Sequence, residues 1–209
     1  MNICCVVFDM DGTLVNTENL KRELCIKYIN GKRYTRESST LAYDKYNGLP
    51  RRKFINTVLV SLGGNELSDD EFEQFNDYLS DGYRPSMATL FPATVIALEK
   101  LRDRGLKLFI SSGSPQHEVD GIIKYFGLDH LFLACYGSDN GFVKGNEHFK
   151  KIAHTTGATR SEMVFIGNDD MDGTLAKEYR IKFFLVKNEN GSTNLLEIIE
   201  KIISGILGK

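Results

Sequence analysis

The sequence has no tryptophan, only four prolines, and no apolar run near the roughly 20 residues that a membrane-spanning helix requires. Its four cysteines lack the spacing of a metal site, and the adjacent Cys4 and Cys5 fit reduced thiols inside a cytoplasmic protein. No basic segment precedes the first apolar stretch, so a signal peptide is not predicted. Charges form no block of one sign and sum to −2, so we expect neither nucleic acid nor a membrane as a partner.

The composition is that of a globular protein, and its patterns alternate between strands and helices. Hydrophobic residues make up 42% of the chain and charged residues 26%, as in soluble domains. Five short apolar runs lack polar alternation, which is typical of parallel strands covered on both faces. This order predicts an α/β fold with a doubly wound parallel sheet. The runs are residues 3–8, 106–110, 131–135, 163–166 and 182–186, and the helical patterns are residues 93–104, 116–126, 146–156, 172–180 and 194–207.

The first two strand runs are separated by a long segment with a different pattern. Residues 16–91 show several helical stretches and no strand pattern, so we predict a helical module inserted after the first strand. The predicted domains are an α/β core of residues 1–15 and 91–209 and a helical domain of residues 16–90. The predicted helices of the insertion are residues 16–30, 35–46, 51–62 and 69–82.

Polar residues with complementary chemistry follow four of the predicted strands. Ligands of an open parallel sheet bind beyond the carboxyl ends of its strands, so we expect these residues to lie together. They are Asp9, Asp11, Gly12 and Thr13 after the first strand, Ser111, Ser112 and Gly113 after the second, Lys144 after the third, and Asn168, Asp169 and Asp172 after the fourth.

These residue types meet the requirements of phosphoryl transfer. Asp9 can attack phosphorus and form an aspartyl-phosphate, and Asp11 can protonate the leaving oxygen and then deprotonate a water molecule. Gly12 permits a sharp turn whose amides, including those of its neighbours, face phosphate oxygens. The Ser111 hydroxyl and the amides of its loop add neutral donors, and Lys144 adds positive charge.

Clustered carboxylates repel a phosphate ester unless a cation lies between them. A hard divalent ion with oxygen ligands meets this need, and Mg²⁺ is the cofactor that we expect. The acidic loop of residues 168–172 would supply its remaining protein ligands. Each group alone has an ordinary structural explanation, such as helix capping by acids. The prediction therefore depends on the four groups occurring together and in this order.

The motifs resemble those of the haloacid dehalogenase superfamily of phosphohydrolases. The stretch FDMDGTLV matches its first motif, hhhDxDGTL, and FISS matches the second, a serine or threonine that ends a hydrophobic strand. Lys144 fits the third motif, and VFIGNDDMD fits the fourth, GDxxxD. The inserted helices resemble the cap domain of members similar to phosphoglycolate phosphatase and β-phosphoglucomutase.

The resemblance implies that Asp9 is the nucleophile and that Asp11 is the general acid and base, with its backbone carbonyl on Mg²⁺. It implies hydrolysis of a small phosphomonoester, because an aspartate at the second position favours phosphatases and phosphomutases over P-type pumps and dehalogenases. A phosphomutase, or a catalytically weak relative that binds phosphorylated ligands, is the alternative. The expected partner is the ester itself, and the expected state is a monomer or a small homo-oligomer.

Two motifs depart from the family pattern. Asn168 stands where GDxxxD has its first aspartate, and Asp172 matches the last acid. The Asn168 amide oxygen can contact Mg²⁺ with one negative charge fewer, or Asp169 takes this role after a shift of one residue. The third motif reads KGNEHF instead of KPxP. The candidates for its lysine are Lys144 and, as alternatives, Lys150 and Lys151.

Arg51 and Arg52 begin a predicted cap helix, about where family members present residues that face the substrate. Two adjacent arginines can hold a second anionic group of the substrate. The alternative is the solvated start of a helix.

A receiver domain of a response regulator is a different class that also places acids, a hydroxyl residue and a lysine at strand ends. Its phospho-acceptor follows a later strand, its chain is shorter, and it has no helical insertion. We therefore favour the enzyme.

Overall fold

The computed structural model describes residues 3–47, 49–139, 141–189 and 192–207. The chain forms two compact units, one made of the residues up to Asn16 and from Thr89 onward, the other of Thr17–Ala88. The boundaries predicted from the sequence differ slightly from these. A separate role for the second unit as a cap stays a prediction.

The first unit is built on a parallel sheet of five strands, which confirms the predicted fold class. The strands of the sheet are β1 (Cys5–Phe8), β4 (Lys107–Ser111), β5 (Ala134–Tyr136), β6 (Met163–Gly167) and β7 (Lys182–Leu185); β2 (Val15–Asn16), β3 (Thr89–Leu90), β8 (Asn188–Glu189) and β9 (Ser192–Thr193) lie outside it. The spatial order in the sheet is β5-β4-β1-β6-β7, and all neighbouring strands run parallel. Two of the three inner strands, β1 and β6, are fully buried, which explains their continuous apolar runs.

Helices connect the strands of this sheet at the predicted places. The stretches that we predicted over 93–104, 116–126, 146–156, 172–180 and 194–207 are all helical, with ends that shift by a few residues. They are α5 (Thr94–Arg102), α6 (Gln116–Tyr125), α7 (Asn146–Thr156), α8 (Asp170–Tyr179) and α9 (Leu195–Leu207), with 3₁₀ turns at Asp129–Leu131 and Arg160–Glu162; a further 3₁₀ turn, Pro85–Met87, belongs to the second unit.

A short antiparallel pair was missed by the sequence reasoning. Strand β2 pairs with β3, with Val15 opposite Leu90 and Asn16 opposite Thr89. The hydroxyl of Thr94 donates to the Leu14 carbonyl at 3.0 Å and reinforces this junction. Two-residue strands carry no hydrophobic period, so our statement that residues 16–91 lack a strand was wrong at Thr89–Leu90.

The second unit contains four helices among its described residues, and they share a small apolar core. Phe75, Ile55 and Ile26 are fully buried in it. Ser68 and Glu71 form a capping box, in which each side chain accepts a hydrogen bond from the other residue's backbone N–H, so the last helix begins where predicted. The helices are α1 (Glu18–Gly31), α2 (Arg36–Tyr46), α3 (Arg51–Ser61) and α4 (Asp69–Gly82).

None of the helices in the described ranges is both long enough and apolar enough to cross a bilayer.

Candidate active site

A tight turn after β1 places two aspartates at the carboxyl edge of the sheet. The Asp9 N–H donates to the Ile166 carbonyl at 2.8 Å and continues the ladder between β1 and β6. The chain then reverses at Gly12, whose φ of 75° favours glycine. The Gly12 N–H donates to the Val15 carbonyl at 2.8 Å, and the Thr13 N–H points to the Met10 carbonyl at 3.4 Å. These amides serve the turn, so the bonds do not support the predicted role of Gly12 and Thr13 amides in phosphate binding.

Lys144 brings together residues from three of the predicted motifs. Its Nζ lies 2.8 Å from Asp9 Oδ1 and 2.6 Å from Asp172 Oδ1. The side chains of Lys144, Asp9 and Asp172 are 17%, 6% and 0% exposed, so this ion triad is shielded from water. Lys150 instead pairs with Glu147 at the surface at 2.9 Å, and Lys151 is exposed. The geometry thus favours Lys144 as the lysine of the third motif.

The ion triad holds two buried carboxylates and one ammonium group. Burial raises the pKa of Asp9 to about 8, against the attraction of Lys144 and with further repulsion from Asp172 and Asp11. Burial also raises the pKa of Asp172. Burial opposes the charge on Lys144, but the two carboxylates outweigh it and raise the lysine pKa. If both carboxyl groups ionise, the triad carries one more negative charge than positive, and a bound cation would favour this ionised state.

The second aspartate of the turn is held by two serines of the loop after β4. Ser114 Oγ donates to Asp11 Oδ2 at 2.9 Å, and Ser112 Oγ lies 3.5 Å from the same oxygen. Both serines are buried, whereas Asp11 is partly exposed. The carboxyl group intended for proton transfer is thus held in place and reached by solvent.

Ser111 does not join this group. Its hydroxyl lies 2.8 Å from His148 Nδ1, and both residues are fully buried. Successive side chains at the end of a strand point to opposite faces, so Ser111 faces α7 while Ser112 faces the Asp11 side. The Ser111 hydroxyl is therefore engaged with α7, whereas the Ser112 hydroxyl lies on the Asp11 side. A phosphate-binding role for either serine stays a prediction. Gly113 lies beside the Lys144 stem, where a Cβ would come to 3.9 Å of Lys144 Cδ.

In the loop after β6, Asn168 and Asp169 are the two candidates for the first acid position of GDxxxD, and their side chains make different contacts. Asn168 Oδ1 accepts a hydrogen bond from Thr13 Oγ1 at 3.1 Å and so faces the turn after β1. The Asp169 carboxylate caps α8 and accepts from the Asp172 N–H at 2.8 Å. With Asp172 paired to Lys144, these contacts favour the register in which Asn168 and Asp172 match GDxxxD.

Gly167 allows the Asp172 side chain to lie directly against the backbone of β6. A Cβ at this position would come within 2.2 Å of Asp172 Oδ2 and 2.6 Å of Asp172 Cγ. We expect Gly167→Ala to lower the free energy of unfolding by about 1–3 kcal/mol, as overpacking of a core does. Urea unfolding measures this loss. Gly113→Ala is the matched control, because its Cβ would make only an ordinary contact; equal losses in the two variants would contradict the explanation.

The two arginines at the start of α3 differ in their surroundings. Arg52 forms an ion pair with Asp69, and its guanidinium lies 4.8 Å from the centre of the Phe72 ring. Arg51 is the first residue of α3 and is partly buried. Arg52 is therefore engaged within its own unit, and a substrate-binding role for Arg51 and Arg52 stays a prediction.

Some residues at this edge were not assigned from the sequence. Asn188 Nδ2 donates to the Gly12 carbonyl at 2.6 Å, although 176 positions separate the two residues. Ser114 and Ser138 support the loops that carry Asp11 and Lys144. The predicted strand ends pointed to the serine loop, but nothing in the pattern singled out Asn188 or Ser138.

The residues at the edge fit a hard divalent cation better than a soft one. No three histidine, cysteine or acidic side chains form a metal cluster within the part of the chain that the structure describes. The donors are instead mixed: the Asp9 carboxylate, the Asp11 backbone carbonyl and the amide oxygen of Asn168, which are all oxygens. A cation beside these acids would favour their ionised form, which burial opposes at Asp9.

An α/β sheet that gathers these motifs in this order defines a class of hydrolase. The chain belongs to the haloacid dehalogenase-like hydrolases, whose family model matches residues 6–186. This confirms the family resemblance and the enzyme class predicted from the motifs.

Individual relatives agree with this assignment. A phosphoglycolate phosphatase from Rhodobacter capsulatus is 22% identical over 185 residues, which cover 86% of this chain and 82% of that protein. Protein SUPPRESSOR OF QUENCHING 1, chloroplastic, from Arabidopsis thaliana is 24% identical over 184 residues, which cover 84% of this chain but only 17% of that protein. A crystal structure of a predicted phosphatase from Clostridium acetobutylicum shares the fold, with a TM-score of 0.75 and 18% identity over 98% of this chain and 100% of that chain.

Proposed function

We propose that the protein is a Mg²⁺-dependent phosphatase that hydrolyses a small phosphomonoester through an aspartyl-phosphate on Asp9. The observation that carries this proposal is the buried contact of Lys144 with Asp9 and Asp172 at the carboxyl edge of the sheet. Asp9 precedes Asp11 by two positions in the same turn. The similarity to a phosphoglycolate phosphatase supports a phosphate ester as substrate.

The residues divide the reaction into two displacements. In the first, an Asp9 carboxylate oxygen bonds to phosphorus, the ester P–O bond breaks, and Asp11 gives its proton to the leaving oxygen. In the second, Asp11 takes a proton from a water molecule, the water oxygen bonds to phosphorus, and the bond to Asp9 breaks. Asp11 is held for both steps by the Ser114 hydroxyl at 2.9 Å.

Two groups lie where charge develops on the transferring phosphoryl group. The Lys144 ammonium is held 2.8 Å from the nucleophile and supplies positive charge. The Ser112 hydroxyl, on the Asp11 side of its loop, takes the role of neutral donor that the sequence reasoning gave to Ser111.

The metal would be held by the Asp9 carboxylate, the Asp11 backbone carbonyl and the Asn168 amide oxygen. When bound, it supplies positive charge that offsets the repulsion between these acids and the phosphate. Asp169 is left as the cap of α8 in this assignment.

The proposal is tested by phosphate release from a broad panel of phosphomonoesters, with Mg²⁺ and with a chelator. We expect turnover of at least one ester that disappears in chelator and returns when Mg²⁺ is added in excess. Equal rates with and without chelator would contradict the metal requirement. A folded protein that releases no phosphate from any ester would contradict the phosphatase and favour a phosphomutase or a binding protein.

A further inference from the structure

Ser138 connects two loops of the candidate site. Its Oγ donates to the Ser112 carbonyl at 2.8 Å and accepts from the Lys144 N–H at 2.9 Å. Its own N–H donates to the Ser114 carbonyl at 2.7 Å. Ser138, which follows β5, therefore connects the loop that holds Asp11 with the backbone of Lys144.

The turn that carries Ser138 is itself fixed. The Gln116 side chain accepts from the Gly137 N–H at 2.7 Å and donates to the Cys135 carbonyl at 3.0 Å. Gly137 packs so closely on the start of α6 that a Cβ would lie 2.5 Å from the Gln116 backbone nitrogen. The turn that carries Ser138 is therefore fixed by its contacts with α6, and Ser138 bonds to the Lys144 backbone from this fixed position.

Two residues that lie between Ser138 and Lys144 in the sequence also pair with each other. Asp139 and Phe142 exchange two backbone hydrogen bonds, of 3.0 Å and 2.8 Å. The Ser138 hydroxyl donates to one backbone group and accepts from another, and only a group that does both can make the two bonds. Alanine at this position would remove the donor and the acceptor together.

We propose that Ser138 is a positioning residue, which sets the backbone of Lys144 so that its ammonium stays on Asp9. The hydroxyl of Ser138 bonds to backbone groups and not to the acids, so it acts through Lys144. The inference rests on the proposed phosphatase activity, because an exact position of Lys144 increases the rate only in the phosphoryl-transfer steps.

The test compares Ser138→Ala with wild type, using p-nitrophenyl phosphate and Mg²⁺. We expect kcat to fall between about 10-fold and 100-fold, as small displacements of a catalytic group do, with KM within about twofold. Ser138→Thr keeps the hydroxyl, so we expect it to recover most of kcat. A kcat of Ser138→Ala within twofold of wild type would overturn the proposal.

Thr156→Val is the matched control for lost hydrogen bonds. Thr156 Oγ1 also bridges two backbone groups, since it donates to the Ile152 carbonyl at 2.7 Å and accepts from the Ala158 N–H at 3.1 Å. It lies at the far end of α7, away from Lys144. We expect Thr156→Val to lower the unfolding temperature about as much as Ser138→Ala while kcat stays unchanged. Equal losses of kcat in both variants would indicate a general structural effect and overturn the positioning role.

A crystal structure of Ser138→Ala separates this inference from the proposed function. We expect the Lys144 Nζ to leave hydrogen-bond distance of Asp9, whether or not the wild-type protein hydrolyses the probe. If Lys144 is displaced and the wild-type protein has no phosphatase activity, the positioning role of Ser138 is supported and the proposed function is contradicted. If Lys144 does not move, the positioning role is overturned even when the enzyme is active.

Discussion

Asp9→Asn is expected to lower kcat for phosphate release by about four orders of magnitude or more, as removal of a nucleophile does in other two-step enzymes. An amide oxygen is a poor nucleophile, so no aspartyl-phosphate forms and the two displacements cannot occur. Single-turnover phosphate release, with the best ester of the panel and saturating Mg²⁺, measures the loss. Turnover within tenfold of wild type would remove Asp9 as the nucleophile.

The activity loss is meaningful only if Asp9→Asn folds. The raised pKa of Asp9 predicts how the stability of this variant compares with that of wild type. The pKa is raised from its ordinary value to about 8, chiefly by burial, so folding favours the protonated carboxyl. The stability that protonated Asp9 contributes is complete below its unfolded pKa near 4 and is lost as pH rises through 8. Without metal, Asp9→Asn avoids this loss, so at pH 9 in chelator its unfolding temperature should match or exceed that of wild type. A much lower temperature would trace the lost activity to misfolding.

The fold could be predicted because its main strands carry a strong local signal. Strands β1 and β6 lie in the middle of the sheet with every residue buried, and this produces unbroken apolar runs. The ribbon of Val15–Asn16 and Thr89–Leu90 has no such signal, since its four residues pair only when the chain is folded. Local sequence patterns therefore predict long buried strands and miss two-residue strands that pair across a long sequence separation.

The site was predictable at the level of motifs but not of individual side chains. Strand ends placed Asp9, Lys144 and Asp172 at one edge, and they meet in the ion triad. The choice between Ser111 and Ser112 required the direction of each side chain, which two adjacent serines at a strand end do not reveal. Ser138 acts through backbone groups, so its role is visible only once the loops are placed.

Lys144→Met should combine a large loss of stability with a large loss of turnover. The methionine keeps much of the stem but leaves Asp9 and Asp172 buried without their common cation. Breaking a buried ion pair in this way lowers the free energy of unfolding by about 3–5 kcal/mol. Both carboxyl pKa values would rise further, so the loss should grow as pH rises, when these groups must ionise. Loss of positive charge at the phosphoryl group should lower kcat by about 100-fold to 1,000-fold.

Urea unfolding at several pH values and phosphate release test this prediction, with Lys150→Met as the matched control. Lys150 pairs with Glu147 at the surface, so its removal should change stability by less than about 1 kcal/mol and leave kcat unchanged. A loss of turnover in Lys150→Met, with Lys144→Met active, would reassign the third motif. Adding Asp172→Asn to Lys144→Met removes one of the two unpaired carboxylates, so it should recover part of the stability but none of the turnover. Recovery of stability without turnover would separate the structural role of Lys144 from its catalytic role. Removing one buried carboxylate restores the charge balance of the core, whereas catalysis requires the ammonium group itself.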